Sequence, residues 1–286
     1  MHKRKRSDSV LKHTKRFKNR FGRLHAKIER LEALVGMPEV KKNVMGQIKY
    51  LLVNDGKTDN HFLHTCILGP PGSGKTTLAK VLFELWSSIK IFSDGARFSV
   101  VHRSDLVAPY MGQTAGRTKK TLQKHKGGCI FIDEFYTLLT GQRDSYGEEA
   151  LGELNTFMSE NPDTVVIVAG YKKEVEEVFK AQPGLQRRFA WNFEIPKYTG
   201  AQIFDIFKLQ LEEHGWKVEE SARELFQTNR FEHAGGDTLN IALKAKIQYA
   251  ERNWLLGGDK LLLYEDVKKA MEIHFKPRAQ ALEMYL

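Results

Sequence analysis

The sequence predicts an α/β domain, with a five-stranded parallel sheet covered by helices on both faces, followed by a smaller all-helical domain. Two observations carry this prediction. From residue 61 onward, short apolar runs rich in β-branched residues alternate with segments of helical spacing, a pattern typical of parallel sheets. After Pro196 the strand pattern stops and only helical spacing continues. With 286 residues, of which 41% are apolar, the chain can bury the cores of both domains.

The elements follow in order along the chain. Residues 1–20 are basic and nearly devoid of core-forming side chains, so we expect a disordered tail or a frayed helix. Residues 21–52 have helical spacing that breaks at Val35-Gly36-Met37-Pro38, which indicates an N-terminal helical linker. The predicted strands are 64–68, 97–102, 129–132, 164–169 and 191–195, and the helices between them are 74–87, 115–125, 147–160 and 173–180. Four further helices are predicted at 199–214, 219–228, 238–254 and 264–274. The predicted domains are therefore the tail at 1–20, the α/β domain with its linker at 21–197 and the helical domain at 198–286.

Composition excludes several classes of protein. No run approaches 18 consecutive apolar residues, and the basic N-terminus lacks the apolar stretch of a secretory signal. The two cysteines, Cys66 and Cys129, stand inside apolar strand patterns and are expected to be small buried hydrophobes. We therefore expect an intracellular soluble protein without membrane contact, in the cytoplasm or the nucleus.

The net charge of +10 resides in the tail. Residues 1–30 contain twelve Lys/Arg and two Asp/Glu, whereas the rest of the chain is balanced. Three interpretations of this segment stay open: a nuclear-localisation-like address, a nucleic-acid-binding arm in which Phe17 and Phe21 stack on bases, or a solvated tail.

A phosphate-binding loop is predicted between the first strand and the following helix. The glycines allow backbone N–H groups to wrap an anion, and the helix directs its amino end at it. Lys75 would reach the outer phosphates, and the hydroxyl of Thr76 would bind Mg²⁺. The segment reads Gly69-Pro70-Pro71-Gly72-Ser73-Gly74-Lys75-Thr76, followed by Thr77.

A pair of acids follows the third predicted strand. Cys129-Ile130-Phe131-Ile132 is apolar throughout and ends in Asp133-Glu134, the Walker B form. We expect this strand to lie beside the strand that precedes the phosphate loop, so that the acids emerge at the ligand-binding edge. Asp133 would hold Mg²⁺, and Glu134 would act as general base on the attacking water. ATP and Mg²⁺ are therefore the predicted ligands.

These motifs, together with RSDLVAPYMGQTAGRTKKTL, DSYGEEALGELNTFM, VVIVAGY and PGLQRRF, resemble the AAA+ ATPases of the CbbX/CfxQ type, which include red-type Rubisco activases and a sporulation protein. The resemblance covers about residues 34–200. It implies that Val35 and Gly36 touch adenine, and that Tyr110 belongs to a pore loop that grips a polypeptide. It also implies that Arg188, or its neighbour Arg187, is an arginine finger that reaches the nucleotide of an adjacent subunit. Such a finger requires a closed ring, which we expect to be a homo-hexamer.

The chain departs from the wider AAA+ pattern at two positions. Ala169-Gly170-Tyr171 stands where many of these proteins have an asparagine that positions water, so Thr164 or Tyr171 is a candidate replacement. The helical domain lacks the usual arginine. Asp237 and Asn240 occupy its place, and Lys244 is a candidate substitute.

The predicted function is ATP hydrolysis that remodels or threads a protein client. The alternative is a motor or loader that acts on nucleic acid through the basic tail at 1–30, and a third possibility is a nucleotide switch that scaffolds a complex and hydrolyses ATP slowly.

Overall fold

The computed structural model describes residues 22–54, 63–141, 144–229, 231–254 and 258–275. The predictions for residues 1–20 lie outside these ranges. The described residues form two compact units, one comprising those up to Gly69 together with those between Lys75 and Ile195, the other Pro70–Gly74 and the described residues from Pro196 onward. No helix within the described ranges is long and apolar enough to cross a bilayer.

The N-terminal unit confirms the α/β prediction. Its elements in chain order are α1 (helical over 22–32), α2 (Pro38–Val53), β1 (Thr65–Leu68), α3 (Lys75–Ser88), β2 (Phe98–Val101), α4 (Arg103–Leu106), α5 (Thr114–Lys124), β3 (Cys129–Ile132), a 3-10 helix (Phe135–Leu138), α6 (Ser145–Glu160), β4 (Val165–Gly170), α7 (Lys172–Ala181), α8 (Pro183–Gln186) and β5 (Trp191–Glu194). The predicted strands agree within two residues at each end. The short helices α4 and α8 and the 3-10 helix were not predicted, because one turn has too few residues to show a period.

The five strands form one parallel sheet in the order β2-β3-β4-β1-β5. The expectation that the Asp133 strand lies beside the phosphate-loop strand is therefore wrong, because β4 pairs with both and separates β3 from β1. Apolar residues face both sides of the sheet. On one face Ile130, Ile132 and Val168 share a core with α6 and α7. On the other face Phe131 stacks on Phe98, which packs against Phe83 of α3.

The C-terminal unit contains α9 (Gly200–Glu212), a 3-10 turn (Glu220–Ala222), α10 (Arg223–Thr228), α11 (Ala234–Asn253) and α12 (Tyr264–Phe275). Its core is aromatic, with Phe204, Phe207 and Phe226 fully buried against one another. The prediction of an all-helical unit misses a two-stranded parallel sheet between β6 (Lys217–Val218) and β7 (Leu261–Leu262). Two-residue strands give no alternation that a sequence pattern could reveal.

Candidate nucleotide-binding and hydrolysis site

The loop between β1 and α3 has the backbone of an anion cradle. Gly72 and Gly74 adopt positive φ values of 65° and 85°, which favour glycine. Helix α3 begins at Lys75, so its unpaired N–H groups and the positive end of its dipole face the loop. Thr77 lies exposed in the first turn of this helix. The predicted segment thus forms a turn of glycines that leads into a helix amino end.

The carbonyls of this turn are engaged by the C-terminal unit, to which Pro70–Gly74 belong. The N–H of Gly235 donates to the Gly72 carbonyl at 3.1 Å, and the Tyr198 hydroxyl donates to the Ser73 carbonyl at 2.8 Å. A Cβ on Gly72 would lie 2.0 Å from the carbonyl oxygen of His233. Glycine is therefore required here by the close approach of another backbone as well as by its dihedral angle.

Lys75 and the two acids share one electrostatic environment. The Nζ of Lys75 donates to the Gly69 carbonyl at 3.0 Å. Burial lowers the pKa of Lys75, and the negative charges of Asp133 and Glu134 oppose that effect. The predicted lysine and the predicted acids therefore lie close enough to interact, although their strands are not neighbours in the sheet.

Thr76 and Asp133 meet directly at the carboxyl edge of the sheet. The Oγ1 of Thr76 donates to Oδ2 of Asp133 at 3.0 Å, and the other oxygen of Asp133 accepts from the N–H of Glu134 at 2.9 Å. Glu134 has an exposed side chain and a left-handed backbone, with φ 49° and ψ 45°. A left-handed conformation is costly outside glycine and is often found where a functional side chain must be aimed.

These groups fit a magnesium nucleotide. A threonine hydroxyl and a carboxylate are oxygen donors of the kind that Mg²⁺ prefers, and they converge at 3.0 Å. The hydroxyl of Ser73, a residue only 1% exposed, has no hydrogen-bond partner among the described residues. A buried hydroxyl of this kind is costly unless a ligand or water satisfies it. Thr76 and Asp133 would hold the metal, and the loop with Lys75 would hold the phosphates.

The adenine and pore-loop residues remain predictions about ligands, but their positions are clear. Val35 and Gly36 form the half-buried turn between α1 and α2, where Gly36 has a φ of 67°. Tyr110 is 69% exposed and Met111 83% exposed, between α4 and α5. Such exposure of two large apolar side chains in sequence is unusual unless a partner covers them.

Arg188 lies at the opposite edge of the sheet from the phosphate loop. It stands three residues before β5, whose first residue pairs with the first residue of β1. Its Nε donates to Oδ1 of Asn155 on α6, and its charge contributes to lowering the pKa of His64, which precedes β1. Arg187 beside it is exposed. Because Gly69 follows β1, Arg188 and Gly69 lie toward opposite ends of the strands of the N-terminal unit.

The two candidates for the missing asparagine lie at opposite ends of β4. Thr164 precedes β4, where its hydroxyl accepts from the N–H of Gly127, so its candidacy is wrong. Tyr171 directly follows β4 and lies at the carboxyl edge, where its ring is 5.1 Å from Nζ of Lys75. Sequence reasoning missed Tyr136, which stacks on Tyr171. Its position three residues after Asp133 could have indicated that it lies near the site.

The structure also places the three residues considered for the missing arginine of the helical unit. Asp237 is buried in the first turns of α11, and its carboxylate accepts from the N–H groups of Glu232 and His233, which precede the helix. Asn240 is exposed. Burial lowers the pKa of Lys244. The role of Lys244 toward a nucleotide remains a prediction.

Comparison with known proteins agrees with this geometry. Residues 65–197 match the profile of the ATPase family associated with various cellular activities (AAA). The chain is 33% identical over 199 residues to stage V sporulation protein K of Bacillus subtilis, an alignment that covers 67% of this chain and 62% of that protein. It thus spans less than two thirds of the length of that relative. It is 32% identical to the CfxQ homolog of Cyanidium caldarium, with 81% of this chain and 86% of that protein covered.

Two further matches extend the comparison. The chloroplastic ribulose bisphosphate carboxylase/oxygenase activase of Cyanidioschyzon merolae is 32% identical, with 86% of this chain and 88% of that protein covered. A solved structure of a Thermotoga maritima RuvB mutant has the same fold, with a TM-score of 0.63 at 20% identity over 85% of this chain and 72% of that one. With its phosphate loop, its Asp133-Glu134 pair and relatives aligned over most of their length, the chain belongs to the CbbX/CfxQ group of the AAA family of ATPases.

Proposed function

We propose that this chain hydrolyses ATP with Mg²⁺ at the subunit interfaces of a homo-oligomeric ring and uses the energy to remodel or thread a protein client. One observation carries the proposal. The Thr76 hydroxyl and the Asp133 carboxylate meet at 3.0 Å beside Lys75 and Glu134, although 57 residues separate them in sequence. Family membership and the glycine turn support the same conclusion.

The residues of the site divide the work of hydrolysis. Lys75 moves from the Gly69 carbonyl to the outer phosphates, where a cation stabilises developing negative charge. Asp133 and Thr76 would hold the metal, which when bound would supply further positive charge at the phosphates. Glu134 is exposed and adjacent to Asp133, so its carboxylate can accept a proton from an attacking water.

The position of Arg188 supports hydrolysis in trans. The arginine lies at the amino edge of the sheet beside His64, whereas the phosphate loop leaves the carboxyl edge. Four residues of β1 span about 13 Å, so Arg188 lies about a strand's length from the carboxyl edge, where Lys75 and Asp133 of its own unit lie. A head-to-tail contact between two copies would bring the arginine of one chain to the nucleotide of the next, and repetition of that contact closes a ring. We propose a hexamer.

The segment around Tyr110 supports action on a polypeptide. Its base is rigid, because the Thr114 hydroxyl accepts from the N–H of Ala108 at 3.2 Å and the buried Thr118 hydroxyl donates to the Leu106 carbonyl at 3.0 Å. Its tip is exposed and carries Tyr110 and Met111. An exposed aromatic on a braced loop suits non-specific apolar contact with an extended chain. The client is a protein of unknown identity, because the relatives have names as different as a sporulation protein and a Rubisco activase.

The test is a comparison of wild type with Glu134→Gln and with a matched control, Glu160→Gln, at the exposed end of α6. Phosphate release, binding of a fluorescent ATP analogue and native mass are measured for each. We expect Glu134→Gln to lose turnover by about 100-fold or more, to keep nucleotide affinity, and to accumulate the assembled ring in ATP. A normal turnover rate in this variant would show that Glu134 is not the base.

The client class is tested in the same proteins. Unfolded polypeptide added to wild type is expected to raise ATP turnover, and Tyr110→Ala is expected to keep the basal rate and lose that stimulation. Stimulation by DNA or RNA instead of polypeptide would contradict the proposed client class.

A further inference from the structure

The carboxyl end of β4 lies between the two halves of the proposed hydrolysis centre. In the order β3-β4-β1, the acids follow β3 and the phosphate loop follows β1. A side chain at the end of β4 is therefore placed to touch both. Strand β4 itself offers no polar group there, because it ends in Ala169 and Gly170, which are both buried.

Two tyrosines occupy this position. Tyr171 follows β4, and Tyr136 belongs to the 3-10 helix after the acids. Their rings stack with centroids 5.2 Å apart and planes 21° apart. Gly170 makes room for the stack, because a Cβ there would lie 3.0 Å from Cδ1 of Tyr136 and 2.6 Å from Cγ2 of Val175. The absence of a side chain at Gly170 is thus a requirement of the tyrosine pair.

Each tyrosine lies beside one of the groups assigned to hydrolysis. The ammonium of Lys75 lies 5.1 Å from the ring centroid of Tyr171, within the range of a cation–π interaction. Tyr136 follows Glu134 by two residues, in the 3-10 helix Phe135–Leu138. Burial, and secondarily the negative charge of Glu134, raise the pKa of Tyr136. The Tyr136 hydroxyl therefore stays protonated and available as a donor to the Glu134 carboxylate.

We propose that Tyr136 and Tyr171 are the positioning residues of this centre and take the place of the missing asparagine. Tyr136 restrains the exposed carboxylate of Glu134 by donating a hydrogen bond to it. Tyr171 holds Lys75 over its ring face and orients Tyr136 by stacking. This inference rests on the proposed role of Glu134 as general base.

The first test is a double-mutant cycle between Tyr136→Phe and Glu134→Gln, measured as single-turnover hydrolysis with ATP affinity determined separately. Tyr136→Phe keeps the ring and the stack and removes only the hydroxyl. We expect a rate loss of about tenfold to a hundredfold, which corresponds to one hydrogen bond to a charged group, with ATP affinity within about threefold of wild type. In the Glu134→Gln background the same change should cost nothing further, because the two residues act as a unit.

A matched control is Tyr249→Phe, which removes a phenol that donates to the Asp259 carbonyl at 3.0 Å in the C-terminal unit and should leave turnover unchanged. A normal rate for Tyr136→Phe, or an equal proportional loss with and without Glu134, would overturn the positioning role of Tyr136. A normal rate for Glu134→Gln would instead overturn the general-base assignment, so the two failures are distinguishable.

The second test concerns the ring of Tyr171. Tyr171→Phe keeps an aromatic face for Lys75, whereas Tyr171→Leu removes it. We expect the leucine variant to lose about threefold to thirtyfold in ATP affinity or turnover relative to the phenylalanine variant. Equal values for the two variants would show that the ring face does not position Lys75.

Discussion

Mild acid is expected to destabilise the N-terminal unit through one buried histidine, His64. Its Nδ1 accepts a hydrogen bond from the N–H of Val166 on the neighbouring strand at 3.0 Å. Burial, and secondarily the positive charge of Arg188, lower the pKa of His64 from its ordinary value of 6.5 to about 3. The folded chain therefore keeps His64 neutral at a pH where the unfolded chain protonates it.

The sign and size of the effect follow from linkage. Between pH 6.5 and 3 the unfolded state binds the proton and the folded state does not, so the free energy of unfolding falls as the pH falls. The contribution is fully present above pH 6.5 and is lost toward pH 3, for a total of about 5 kcal/mol. Between pH 7.5 and 5.5 this single group should remove about 1.4 kcal/mol.

The assay is urea unfolding at pH 7.5 and 5.5, followed by far-UV circular dichroism, for wild type and His64→Gln. The glutamine carbonyl can still accept from Val166 N–H but does not titrate. We expect the loss of unfolding free energy between the two pH values to be about 1.4 kcal/mol smaller in His64→Gln. The control His214→Gln, at an exposed position, should behave as wild type. An identical pH dependence in wild type and His64→Gln would refute this reasoning.

Three further substitutions have defined outcomes. Gly72→Ala places a Cβ 2.0 Å from the His233 carbonyl, so we expect at least tenfold weaker ATP binding by titration calorimetry. Although burial opposes it, hydrogen bonds, including one from Arg103, lower the pKa of Asp144 to about 2. Asp144→Asn should therefore lower the free energy of unfolding by about 2–4 kcal/mol in urea, because the Arg103 charge loses its partner. Arg188→Lys keeps the charge but loses the planar fork, so ATP turnover should fall at least tenfold while ATP affinity, measured by calorimetry, is unchanged.

The sheet could be predicted because its signals are local. Runs such as Cys129–Ile132 are apolar at every position, as strands buried on both faces must be, and the observed strands lie where these runs lie. Strand order is a different matter, because it depends on contacts between distant segments. The placement of β4 between β3 and β1 has no local sequence signal, and the expectation that β3 adjoins β1 failed for that reason.

The site likewise has features that the sequence predicts and features that it does not. The glycine turn and the acids are set by residues adjacent in sequence, so their local geometry could be anticipated. The pairing of Tyr136 with Tyr171 joins two elements 35 residues apart, and no single segment indicates it. Strand polarity alone could have excluded Thr164, since a residue before a parallel strand lies at the edge opposite the ligand.

Under the proposed function, one copy is an incomplete enzyme because its charged groups lie at two opposite edges of the sheet. The carboxyl edge gathers Lys75, the acids and the tyrosine pair within a single N-terminal unit. The amino edge holds Arg188 against Asn155 and near His64, where its charge can only disfavour a protonated histidine. Under the proposed function, Arg188 at this edge serves the nucleotide of another copy rather than its own. We therefore expect the contact between neighbouring copies to supply a catalytic charge that one copy lacks, so that turnover should rise with assembly.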